Sequence, residues 1–189
     1  MKEDIWLKSV KLNCSKNILD VVQFGSSVIE GKEFRDIDIA VIFNKISVKE
    51  QLNEAQDIKN QLRKFTDKDI HITSLDLYSL FEDSNFARDG VLFYGVSLLD
   101  GKKFAEKFGL KPFVQIQYSL KKFSKKDKIK FNYLLSGRGG KYGLLREYGG
   151  YLIAPGIINI NPEHEKVFLE EIKKINVDID VKKIFIINN

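Results

Sequence analysis

Residues 24–43 run Phe-Gly-Ser-Ser-Val-Ile-Glu-Gly-Lys-Glu-Phe-Arg-Asp-Ile-Asp-Ile-Ala-Val-Ile-Phe, so a Gly-Ser pair leaves one apolar run and Asp-Ile-Asp leads into another. Short apolar runs rich in Val and Ile read as buried strands. In a strand, residues i and i+2 share a face, with roughly 6.6 Å of rise between them. Asp36 and Asp38 therefore stand side by side. Two carboxylates at ~4 Å repel by about 4 kcal/mol at an effective dielectric near 20. A divalent cation relieves that repulsion, and sites with few carboxylates suit Mg²⁺, which also holds substrate phosphates. Gly25 lets the backbone turn sharply and approach a ligand closely. Ser26 or Ser27 is expected to cap a short helix over 28–31, whose free N–H groups would seat a phosphate. Together the halves describe a site for a nucleoside triphosphate with Mg²⁺ or Mn²⁺.

Phe24-Gly25-Ser26 followed by Asp36-Ile37-Asp38-Ile39 resembles the signature of the nucleotidyltransferase superfamily of the DNA polymerase beta type, in its minimal form. The resemblance covers about residues 15–100. It implies a palm-like sheet, and Asp36 and Asp38 as metal ligands. It further implies that Gly25, Ser26 and Ser27 hold phosphates, and that a third carboxylate on a neighbouring strand deprotonates the attacking hydroxyl. Asp69 is the best match for that third acid, which the resemblance also implies as a metal ligand beside Asp36 and Asp38. Asp69, His71 and Thr73 alternate with Ile70 and Ile72, so these three share one face. Asp67 and Asp76 are further candidates, and His71 is either an aid to the chemistry or an ordinary strand residue. Lys32 and Arg35 lie between the motif halves, where they meet the triphosphate or stand solvated.

The element pattern predicts an α+β fold: a small mixed β-sheet with packed helices over 1–100, and a basic C-terminal region of helices and a β-hairpin over 101–189. In the first part, a short helix is expected at 4–12 and strands at 20–24, 36–43 and 69–74. Ser47-Val-Lys-Glu50 is a capping box, opening a helix to about Lys64; another helix is expected near 77–81. In the second part, 104–110, 113–123, 125–136 and 144–148 read as helical. Pro155-Gly156 turns a hairpin between 151–154 and 157–160, Pro162 opens a helix, and 181–187 is a last strand. Helix, glycine-rich turn, helix, hairpin is the order of a winged helix.

Among 189 residues, 31 are Lys or Arg and 26 are Asp or Glu, giving a net charge of +5. The positive charge is concentrated in 102–146, which holds only two acids, Glu106 and Asp127. Such a footprint suits a polyanion, RNA or DNA, or else a solvated lysine face. Lys125, Lys126, Arg138 and Lys141 are the candidate contacts. Gly137, Gly139, Gly140 and Gly143 make either a phosphate-gripping loop or a plain linker. Tyr133, Tyr142 and Tyr151 interleave with the cations in a way that suits stacking on bases. Cys14 is the sole cysteine, which excludes an intrachain disulfide and suits a reducing cytoplasm. No apolar run approaches the ~18 residues of a membrane span; a cytoplasmic location without membrane attachment is expected.

These readings converge on transfer of a nucleoside monophosphate to a hydroxyl of RNA, a protein or a small molecule. The alternatives are an inactive relative that neutralises a toxin or binds a small helical protein, and a nucleic-acid-binding module.

Overall fold

The computed structural model describes residues 10–139 and 141–187, and the helix expected at 4–12 and Gly140 lie wholly or partly outside them. The protein is α+β and divides into two compact units, meeting in sequence at Gly109 and Leu110.

The first unit is built on a four-stranded mixed sheet. Strands β1 (Ile18–Phe24), β2 (Asp36–Phe43), β3 (Asp69–Asp76) and β4 (Val96–Ser97) lie in the order β3-β2-β1-β4. β2 runs antiparallel to β1 and parallel to β3. The parallel step needs a crossover, and helix α1 (Val48–Leu62) supplies it. Ser47 and Glu50 form the expected capping box.

Both faces of this sheet are covered, which is why β1 and β2 read as nearly continuous apolar runs. On one face Ile37, Ile39, Val41 and Phe43 pack with Ala55, Ile58 and Leu62 of α1. On the other, Val22, Phe24, Ala40 and Ile42 pack with Leu80 of helix α2 (Leu77–Phe81), Val91 and Phe104. Val91 belongs to a π-helix, Gly90–Tyr94, and Phe104 to a 3₁₀ helix, Phe104–Phe108. Asp36 and Asp38 share the face of Ala40 and Ile42 but sit at its half-exposed end.

Among the described residues, the second unit is a four-stranded antiparallel sheet with three α-helices and a 3₁₀ helix, Pro162–His164. Its elements are β5 (Leu110–Ser119), α3 (Lys125–Ser136), α4 (Leu144–Glu147), β6 (Tyr151–Ala154), β7 (Ile157–Ile160), α5 (Glu165–Lys173) and β8 (Asp178–Ile187), with strand order β6-β7-β5-β8. The helical reading of 113–123 is wrong. Val114, Ile116 and Tyr118 alternate with Gln115 and Gln117, and the segment is the central strand, paired with β7 and β8. Phe104–Phe108 is a single 3₁₀ helix ended by Gly109, not a longer α-helix. The hairpin β6–β7 is continued by β5 and β8 rather than standing alone. Phe131 and Leu135 of α3, Phe168 and Ile172 of α5, and Val114, Ile116, Ile158 and Ile160 are buried. Among the described residues, no helix is long and apolar enough to cross a membrane.

Candidate functional site

Phe24 ends β1 directly opposite Asp38 of β2. The chain then turns at Gly25, whose φ is +74°. A Cβ at Gly25 would overlap Oδ2 of Asp38. The turn and the carboxylate are thus packed together, with glycine required twice, for the left-handed backbone and for the space.

The turn is a 3₁₀ helix, Gly25–Val28, without a side-chain cap. This corrects the expectation of a Ser-capped helix over 28–31. Ser27 is spent inside the fold: its hydroxyl donates to the Phe24 carbonyl and accepts from Nε2 of the buried Gln23. Ser26 is half-buried, and its carbonyl accepts from the Ile29 N–H. Arg35 and Lys32 are exposed in the loop before β2.

Asp36 and Asp38 project to one face, and strand β3 adds to that face in register. Asp69 is opposite Asp36, His71 opposite Asp38, and Thr73 opposite Ala40. His71 reaches both carboxylates, with Nδ1 at 3.3 Å from Asp36 and 3.8 Å from Asp38. Burial, then the neighbouring charge of Asp36, push the Asp38 carboxyl above its ordinary range, and His71 offsets part of that. Asp69 is exposed at the start of β3. Lys68, just before it, donates to the Phe34 carbonyl and lies over the Phe34 ring, 4.1 Å from its centre, tying this end of β3 to the loop preceding β2.

Asp76 is removed from the candidates for a third acid. It lies at the other end of β3, opposite Phe43, and caps α2 by accepting from the N–H groups of Tyr78 and Ser79. The backbone N–H of Ser79 is the main cause of its lowered pKa. Asp67 is exposed outside the strand.

The residue most directly placed against the Asp pair is therefore His71. Its alternation with Ile70 and Ile72 gave its face; its partner strand and register were not readable from sequence. Among the described residues, no group of three or more His, Cys, Asp or Glu side chains is arranged to hold a metal ion. A pair of carboxylates still fits Mg²⁺, which binds through one or two carboxylates and completes its shell with water and substrate phosphates. The raised pKa of Asp38 records the cost of holding two carboxylates together in a half-buried place, a cost that a cation would relieve.

In the second unit Lys125, Lys126, Arg138 and Lys141 are all exposed. Lys125 and Lys126 open α3, while Arg138 and Lys141 pair with each other in the turn that follows it.

No protein-family model, curated protein or solved structure matches the chain.

Proposed function

We propose that residues 10–109 bind a nucleoside triphosphate with Mg²⁺ or Mn²⁺ and transfer its nucleoside monophosphate to a hydroxyl. The observation that carries this reading is the contact between the Gly25 turn and Asp38, which brings the Gly-Ser turn against the carboxylate pair. Asp36 and Asp38 would hold the cation, which supplies positive charge to the phosphates. Gly25 and Ser26 take the terminal phosphates, and Arg35 is the nearby basic residue on the entry loop.

In the reaction the acceptor oxygen bonds to the α-phosphorus, the bond from that phosphorus to the α,β-bridging oxygen breaks, and pyrophosphate leaves. The hydroxyl proton goes to His71. With Nδ1 turned toward the carboxylates, Nε2 is the nitrogen left to accept it. Asp69, one residue pair further along the same face, orients the acceptor. A palm-like description of the first sheet rests on the same motif. For the second unit, the order α3, glycine turn, α4, hairpin favours a winged-helix-like reading, and the continuation of the hairpin into a four-stranded sheet counts against it.

The test is incubation with each triphosphate, Mg²⁺, and total RNA or protein. Label at the α-phosphate is expected on the acceptor, and label at the γ-phosphate is not. His71→Ala should lower transfer by ~10²–10⁴, the contribution of a positioned base, while Asp69→Asn costs less. Failure to bind any triphosphate in the presence of Mg²⁺ overturns the reading.

A second reading is favoured by the absence of a three-donor group among the described residues. In it the same site binds the triphosphate and cation without transfer, and the protein acts by engaging a partner protein. Mg²⁺-dependent binding with no label transferred selects this alternative.

A further inference from the structure

The glycine-rich segment after α3 is not a linker. Arg138 and Lys141 exchange backbone hydrogen bonds, N–H of Arg138 to the carbonyl of Lys141 at 3.1 Å and the reverse at 3.2 Å. The N–H of Gly137 closes α3 on the Tyr133 carbonyl. A Cβ at Gly137 would overlap the carbonyl oxygens of Lys141 and Tyr142, and one at Gly143 would press on the backbone of Gly137 and Ser136. The described residues 137–139 and 141–143 thus form a ring of backbone contacts, and glycine is needed at Gly137 and Gly143 because the chain meets itself there. At Gly139, φ is +60° and the Cβ direction faces open space, so the backbone there is open to approach.

The ring displays Arg138, Lys141 and Tyr142 outward. Tyr142 is 84% exposed, and its φ is +62°. Left-handed backbone is an outlier for a bulky residue. Among the described residues the only other non-glycine at positive φ is Asn176, a residue type that tolerates it. Tyr142 therefore holds an unfavourable backbone geometry while its ring buries little in the fold. Such strain concentrates at ligand contacts. The exposed residues Lys126, Lys130 and Tyr133 follow one another at helical spacing along α3 toward the ring. The stretch 102–146 holds 13 basic residues against two acids.

We propose that this ring and the adjoining face of α3 bind an unpaired nucleic-acid strand, with Tyr142 stacked on a base and Arg138 and Lys141 on the flanking phosphates. An exposed aromatic ring between cations is the general device for single strands, because every base offers a π-face once it is unpaired. A tight glycine turn between helices is also how KH-type modules hold the sugar–phosphate backbone of about four unpaired nucleotides. A duplex would satisfy the cations and leave the Tyr142 ring without a base to meet.

The test uses the full chain in EDTA without triphosphate, so that its result is independent of the Asp36–Asp38 site. Fluorescence anisotropy is read with a labelled mixed-sequence RNA strand, the matching DNA strand, and the duplex. Both single strands, or one of them, should bind more tightly than the duplex; the difference between the two names the natural strand. Tyr142→Gly relieves the backbone and removes the ring. It should weaken single-strand binding by ~10-fold or more while the melting temperature stays or rises. Arg138→Gln and Lys141→Gln should each weaken binding and lower the slope of log K against log salt by ~0.7. No binding at low salt, unchanged binding by Tyr142→Gly, or a duplex bound at least as tightly as the better of the two strands would overturn the proposal.

Discussion

Gly25 shows how little freedom the first site has at the level of one residue. Replacing it with Ala forces a side chain into a left-handed position and against the Asp38 carboxylate. Gly25→Ala should cost more than about 1 kcal/mol in urea unfolding and should weaken Mg²⁺–triphosphate binding measured by calorimetry. Asp38→Asn should behave in the opposite way toward stability. Asp38 is held charged beside Asp36 in a half-buried position, and its raised pKa reports that cost. In EDTA the Asn variant is expected to melt above the wild type; with Mg²⁺ and triphosphate the order should reverse. An Asn variant that is less stable in EDTA would make the pair a structural feature. Sequence alternation was enough to put Asp36 and Asp38 on one face of their strand, and Asp69 and His71 on one face of theirs. It could not say that His71, rather than Asp69, stands against both carboxylates, because that depends on which residue of β3 faces Asp38.

Among the elements, the 3₁₀ helix Phe104–Phe108 is fixed to the sheet by a buried charge. Asp20 of β1 is 1% exposed. It accepts from the Ser97 hydroxyl and the Val21 N–H, and Lys107 of the 3₁₀ helix reaches it at 2.6 Å. Lys107 also meets Asp100 at 3.2 Å. Removing one partner of a buried pair leaves an uncompensated charge, so Lys107→Met should cost about 3–5 kcal/mol. Asp20→Asn in the same chain should restore part of it, and chemical denaturation of the two variants measures both. The pH dependence follows from the same contacts. Burial lowers the Lys107 pKa, but Asp20 and Asp100 outweigh it and the net shift is upward. That stability is complete below the ordinary lysine pKa and is lost as pH rises through the elevated one. Burial raises the Asp100 pKa, but the Lys102 N–H and Lys107 outweigh it and the net shift is downward. Its contribution is present above the ordinary aspartate pKa and fades as pH falls through the depressed value. Thermal melts should show a plateau near neutrality with losses at both extremes, and Lys107→Met should reduce the alkaline loss, leaving the part that the raised pKa values of Tyr118 and Cys14 contribute.

Across the whole molecule, local pattern and long-range pairing divided the information. The apolar runs of β1 and β2, the Asp pair, the Ser47–Glu50 capping box, α1 and the Pro155-Gly156 hairpin were legible because each is set by residues a few positions apart. The central strand β5 was misread as a helix. Phe113, Leu120 and Phe123 have helix-compatible spacing, and the period-two run from Val114 to Tyr118 is short. What decides it is pairing with β7 and with β8, the latter reaching Ile187 at the end of the described chain. Ser27 also had the composition of a phosphate contact, yet a buried glutamine from β1 claims its hydroxyl. By itself the sequence determined which segments are apolar and with what period, where the chain must turn, and that two carboxylates share a strand face, since these follow from backbone stereochemistry and burial. Only the tertiary structure decided that His71 meets the Asp pair, that β5 is a strand, and that Gly137 and Arg138 close on Lys141, Tyr142 and Gly143. Those outcomes depend on register and on contacts between distant residues, which no local pattern encodes.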